Sequence, residues 1–270
     1  MATSSLAPKR TQIFDQFSLK GKVVVITGGS RGLGFNFAHG LAQAGANIAC
    51  IDIRNQPQED FSILSSYGGK AKYYKSDVRS YEELKKTIDQ IAYDFGSIDG
   101  CIPAAGIITD KPFMEHTHTD FSNTIDINVT GVFSTVQLCA GHMIKQGTGG
   151  TIVCIASTAA HKAMVPQTIT AYVASKWAVR GMVKQIAGEL ADKKIRCNSI
   201  SPGTVRTDML EGIMKQTPGR EQLFLDSNML RRLAQPDELN AAILYLMSDA
   251  SSYVTGTDFC VDGGILGLFS

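Results

Sequence analysis

From Lys22 onward, short apolar runs recur between longer stretches in which apolar positions follow a helical period. The runs are KVVVIT (22–27), NIACID (47–52), AKYYKS (71–76), IDGCIPAAG (98–106), TIVCIAS (151–157), IRCNSIS (195–201) and DFCVDGG (258–264). Helical patterns fill 80–95, 118–146, 172–192 and 236–248, and another follows the first run to about Ala44. Runs that are apolar on both faces and separated by helices predict an α/β fold, a parallel sheet covered on both sides. The stretch from Thr207 to Arg232 departs from this rhythm. It is rich in Met and Leu and is broken by Gly212, Pro218 and Gly219.

A chain of 270 residues with 44% hydrophobic side chains can fill one large core, and no repeat, low-complexity tract or linker divides it. The expectation is one domain over 21–270 behind an N-terminal extension, 1–20. A formal net charge of +1 creates no field that would recruit nucleic acid or an anionic membrane, so neither is expected as a partner. No apolar run approaches membrane-spanning length, and the first twenty residues lack the hydrophobic segment of a secretory signal. Cys50, Cys101, Cys139, Cys154, Cys197 and Cys260 form no C-x-x-C pair. They read as buried thiols in a reducing compartment, with no disulfide framework and no metal site.

Three signals carry chemistry. The first is TGGSRGLG, Thr27 to Gly34, between the first strand and its helix. Gly28, Gly32 and Gly34 let the backbone turn tightly and approach a pyrophosphate at a helix N-terminus, although the G-x-x-x-G-x-G spacing differs from G-x-G-x-x-G and a ligand-free glycine turn is the alternative. The second is Asp52, ending the second strand, whose carboxylate can accept ribose hydroxyls and would repel a 2′-phosphate, favouring NAD over NADP. Arg31 and Arg54 point toward NADP, since a guanidinium can pair with that phosphate, unless both are solvated surface charges. Asp77 and Val78, ending the third strand, are candidates for the adenine side or simply a strand-end acid and a core valine.

The third signal joins Ser157, at the end of a central strand, to ITAYVASKWAVRG (169–181), where Tyr172 and Lys176 lie four apart on one helix face. In a doubly wound sheet ligands bind beyond the carboxyl ends of the strands, where Ser157 lies. The chain carries its own control, because SYEELKK places Tyr81 and Lys85 at the same spacing in an acidic, polar setting. That pair reads as solvated surface. His161, in the loop after Ser157, is a candidate substrate contact or a loop-surface residue.

The ordered combination of TGGSRGLG, AAG (104–106), IDINVTG with Asn128, Ser157, YVASK and SPGTVRT (201–207) resembles the short-chain dehydrogenase/reductase family from about Lys22 to Gly264. IPAAG departs from the asparagine-rich turn usual after the fourth strand. The loop between Ser157 and Tyr172, with the start FDQFSLKGKVVVITGG, is similar to polyol and ketose reductases of the mannitol dehydrogenase and sorbose reductase type.

The resemblance implies a single Rossmann-type, doubly wound domain with a seven-stranded parallel sheet, usually a cytoplasmic homotetramer. It implies an oxidoreductase that moves a hydride between nicotinamide and a secondary alcohol or ketone. Tyr172 would be the acid/base, helped electrostatically by Lys176, with Ser157 polarising the substrate oxygen and Asn128 anchoring a water relay to Lys176. It further implies that Ser30, Arg31, Leu33, Ile53, Ala105 and Gly106 line the dinucleotide, and that Pro202, Gly203, Val205 and Thr207 border the nicotinamide. Residues 208–230 would then form a mobile substrate lid to which Met209 and Met214 contribute. Two alternatives stand beside this expectation: the same chemistry on a bulky polyketide, terpenoid or steroid, and a non-catalytic nucleotide sensor or scaffold.

Overall fold

The first strand, β1 (Val23–Thr27), is buried along its whole length, as a strand covered by helices on both faces must be. It pairs in parallel with β2 (Asn47–Asp52) on one side and β4 (Gly100–Pro103) on the other. With β3 (Ala71–Lys75), β5 (Gly150–Ile155), β6 (Ile195–Pro202) and β7 (Asp258–Val261) this makes a seven-stranded parallel sheet in the order β3-β2-β1-β4-β5-β6-β7. The order reverses between β1 and β4, so the connections leaving these strands diverge and open a crevice at their carboxyl ends. The computed structural model describes residues 12–216 and 219–268; most of the expected extension, 1–11, and residues 217–218 of the expected lid lie outside them.

Eight α-helices lie among the described residues: α1 (Gly32–Gln43), α2 (Tyr81–Phe95), α3 (His118–Ile125), α4 (Gly131–Gln146), α5 (Thr170–Leu190), α6 (Asp208–Gln216), α7 (Arg220–Asp226) and α8 (Asn240–Met247). One buried apolar cluster joins Val25, Cys101 and Ile152 of the sheet to α2, α4 and α5; a second joins Val24, Ile26 and Ile48 to α1 and α8 on the other face. Five of the six cysteines are buried free thiols, and Cys260 is exposed on β7.

Two segments interrupt this regular frame. The expected helix over 118–146 is split by a π-helical turn at Asp126–Thr130, which directs Asn128 into the interior. Further on, α6 and α7 stand apart from the two main cores, closing a small cluster of their own around Ile213, Phe224 and Leu233.

Candidate active site

The crevice begins where β1 passes into α1. Gly28 has φ +68°, and a Cβ there would lie 2.8 Å from the backbone of Ala105; a Cβ on Gly34 would collide with the Gly28 carbonyl. Only glycine lets the turn close against the loop after β4 in this way. The Ala105 amide donates to Thr27 Oγ1 at 3.2 Å, tying the two strand ends together.

Asp52 closes the same turn from the side. One carboxylate oxygen accepts the Ser30 amide at 3.2 Å, and the other accepts the Arg54 amide at 3.2 Å and its Nη1 at 3.4 Å. Ser30 itself is buried behind the turn, where its hydroxyl accepts the Gln58 amide at 3.1 Å. Arg31 reaches across the mouth of the cleft to Asp208 at the start of α6, 3.3 Å away.

A cleft of about 420 Å³ joins these groups. Gly28, Arg31, Gly32, Leu33, Gly34, Asp52 and Ile53 line it from the first βαβ unit, and Asp77, Val78, Ala105 and Gly106 line it from the next two strand ends. Tyr172, Lys176, Thr207 and Met209 close its far end. Asp77 is held below the usual carboxylate range by the Arg79 side chain, which donates to both its oxygens.

A second, smaller hollow of about 140 Å³ continues from that end. Ser157, Tyr172, Pro202, Gly203, Val205, Thr207 and Met209 border it. The glycine turn, Asp52 and the Tyr172 end thus form one continuous groove. Its length, the close backbone approach at Gly28 and the carboxylate of Asp52 fit a nicotinamide dinucleotide.

At the junction of the two hollows, Lys176 is buried, and its ammonium donates to the Ile155 carbonyl at 2.7 Å and lies 5.4 Å from the centre of the Tyr172 ring. Burial pushes its pKa down to about 8. Burial also raises the Tyr172 phenol above its ordinary value, while a hydrogen bond with Ser157 works in the opposite sense. Ser157 Oγ accepts the Ala159 amide at 3.1 Å, so its hydroxyl proton is the one directed at Tyr172.

Asn128 lies behind this group. Its Oδ1 accepts the Ile107 amide at 2.9 Å, and its Nδ2 donates to the Ile107 carbonyl at 2.9 Å and to Ser175 Oγ at 3.1 Å. The side chain is therefore fully engaged in bracing the loop after β4 against α5.

Two expected substrate residues are placed elsewhere. His161 does not border the hollow: its Nε2 lies 2.6 Å from Asp258 Oδ2 and 3.3 Å from Ser201 Oγ, because the Thr158–Ala160 turn carries it toward β6 and β7. Met214 packs into the Ile213–Phe224–Leu233 cluster on the inner side of α6, leaving Met209 as the methionine at the cleft.

Sequence reasoning missed several neighbours. Ile108, Met164, Gln167 and Ile169 also line the smaller hollow, from two loops without a shared motif, alongside Leu210 and Phe224 of the expected lid. Asp110 and Arg220 form a buried ion pair that ties α7 to the loop after β4, and Thr168 donates to the same carboxylate. His161, Asp258 and Cys260 place ligand-type atoms within 4.8 Å of one another, although the Asp258 oxygens already accept Ser199, Ser201 and His161 and face Arg180 Nε at 3.6 Å.

The family model described as enoyl-(acyl carrier protein) reductase matches residues 28–266. An NADP-dependent mannitol dehydrogenase of Hypocrea jecorina is 35% identical over 262 residues, covering 95% of this chain and 97% of the relative. A short-chain type dehydrogenase/reductase from Mycobacterium marinum superposes with a TM-score of 0.90 at 37% identity, covering 94% of this chain and 99% of the other. A gluconate 5-dehydrogenase from Burkholderia cenocepacia, solved with NADP and tartrate, superposes with a TM-score of 0.89 at 31% identity, covering 95% and 99%.

Proposed function

The chain belongs to the short-chain dehydrogenase/reductase family, nicotinamide-dependent oxidoreductases of CH–OH groups, and we propose that it interconverts a secondary alcohol and its ketone with Tyr172 as the proton donor and acceptor. One observation carries this reading: a half-buried Tyr172 stands beside Ser157 and the buried Lys176, at the carboxyl end of β5 and at the far end of a dinucleotide-shaped cleft. When bound, the nicotinamide supplies the hydride to the carbonyl carbon, or accepts it in the reverse direction.

The chain's own residues handle the proton. In the reducing direction the Ser157 hydroxyl turns its hydrogen bond from Tyr172 to the carbonyl oxygen and holds that oxygen facing Tyr172. Tyr172, kept protonated by burial, then gives its proton to that oxygen as charge develops there. Lys176, a buried cation with a carbonyl partner, stabilises the phenolate left behind. Asn128, held by Ile107 and Ser175 between the loop after β4 and α5, would anchor a water relay to Lys176.

For the cofactor we favour NAD(H). Asp52 supports this, since its buried carboxylate stands where a 2′-phosphate would have to be accommodated. The NADP-dependent relatives support the other choice, and so do Arg31 and Arg54, each of which already has a carboxylate partner in Asp208 and Asp52. The segment 208–230 is proposed as a substrate cover, held by Arg220 on Asp110 and by Arg31 on Asp208.

A cytoplasmic homotetramer also belongs to this proposal. It is supported by apolar side chains exposed on α4, α5 and β7, namely Phe133, Trp177 and Phe259. Among the described residues no helix is long and apolar enough to cross a membrane.

The test is isotopic. Ketone incubated with cofactor deuterated at C4 of the nicotinamide should yield alcohol carrying deuterium on the carbinol carbon; unlabelled alcohol, or none, overturns the reading. The ratio of kcat/KM with NADH to that with NADPH decides the cofactor, and Asp52→Ala should move that ratio toward NADPH by about tenfold or more.

A further inference from the structure

The smaller hollow has a chemical character that its location does not dictate. No charged side chain lines it among the described residues. Ser157 and Tyr172 are committed to the reacting oxygen, and Thr207 also lines the larger cleft. Beyond these, Thr158, Thr204 and Gln167 are the polar side chains left to meet a substrate. The rest of the wall is apolar and includes Ile108, Met164, Ile169, Leu210, Ile213 and Phe224, contributed by the loop after β4, the loop before α5, and the α6–α7 cover.

A hexitol or ketohexose carries a hydroxyl on nearly every carbon. In this wall most of them would lose water and gain no partner, a loss that strongly disfavours binding. A sugar acid would bring a carboxylate to a surface without a cation. The activities named for two of the relatives, on mannitol and on gluconate, therefore call for side chains that this hollow lacks.

The volume of about 140 Å³ is close to the roughly 150 Å³ of an apolar cavity that takes a benzene ring. Building on the hydride-transfer reading above, we infer that the substrate is a compact, uncharged, mainly carbocyclic ketone or its secondary alcohol. It carries at most one or two polar groups besides the reacting oxygen. Gln167, whose side-chain amide has no partner among the described residues, is placed to receive one of them.

The test compares 1-tetralone with D-fructose and 5-keto-D-gluconate on the full-length enzyme with its preferred cofactor. The expected kcat/KM for 1-tetralone exceeds that for either sugar by about 100-fold or more. A preference for fructose or 5-keto-D-gluconate overturns the inference while leaving hydride transfer intact. No turnover of any ketone is the failure of the broader reading. In that event a melting-temperature shift of the cofactor-loaded protein by 1-tetralol, larger than that by mannitol, still supports the apolar hollow, and equal shifts overturn it.

Leu210→Arg, which sets a cation in the wall, should move the ratio between 5-keto-D-gluconate and 1-tetralone by about tenfold toward the acid. An unchanged ratio would mean that these side chains do not select the substrate.

Discussion

Two tyrosine–lysine pairs with identical spacing occupy opposite extremes of environment. Tyr81 opens α2 with its ring 43% exposed, and Lys85 ion-pairs with Asp89 one turn on. The Asp89 hydrogen bond and charge raise the Lys85 pKa. Tyr172 and Lys176 sit on α5 beneath the loops at the carboxyl edge of the sheet, and Lys176 has a peptide carbonyl where Lys85 has a carboxylate. Its pKa moves the other way, to about 8. A lysine charge neutralised by aspartate has little field left for a neighbouring phenol. One held on a carbonyl in a dry site keeps its field, so environment, and not spacing, separates a reactive pair from a surface pair.

The sharpest way to break this comparison is to remove each phenol oxygen in turn. Tyr172→Phe should lower kcat by about 10³-fold or more while nucleotide affinity, measured by fluorescence titration, stays near normal. A variant within tenfold of wild type would show that the proton comes from elsewhere. Ser157→Ala should cost about 10²-fold in kcat/KM, because one donor to the developing oxyanion is lost.

The lysines then separate on stability. In the folded chain Lys176 gives up its proton near pH 8, whereas in the unfolded chain it holds it to about pH 10.5. Below pH 8 the folded state thus bears the cost of a buried charge, and that cost is relieved as the pH rises from 8 toward 10.5. Lys176→Met should accordingly raise the unfolding free energy at pH 7 by an amount on the order of 3 kcal/mol at most, while lowering kcat. Urea melts of both proteins at pH 7 and pH 10 should converge at the higher pH. A difference independent of pH would place the lysine charge outside the dry site. The smallest effects belong to the control pair: Tyr81→Phe and Lys85→Met should each change kcat by less than about twofold and leave the melt nearly where it was.

The frame of the molecule was legible because its strands are buried on both faces. NIACID is β2 residue for residue, and every apolar run overlaps a strand. The glycine turn, Asp52, Ser157, Tyr172 and Lys176 were legible because each lies at a strand end or in the first two turns of a helix, where the topology itself brings them together. What escaped was anything depending on a single inserted residue or a distant partner. The π turn at Asp126–Thr130 leaves the helical period almost unchanged in sequence, yet it buries Asn128. His161 is drawn off by Asp258, 97 positions away, and Arg220 finds Asp110 at a separation of 110. Met209 and Met214 look alike in the sequence, but α6 turns one toward the cleft and the other into its own cluster.

The two tethers of the α6–α7 segment respond differently to dissolved ions. Arg31 and Asp208 meet in the open, 40% and 60% exposed, so rising ionic strength screens their attraction; Arg220 and Asp110 are 13% and 9% exposed and are largely shielded from counterions. Salt therefore loosens the edge of the segment that faces the glycine turn before it touches the edge over the substrate hollow. The substrate cover proposed above would thus have one tether that electrolyte can slacken and one that it cannot.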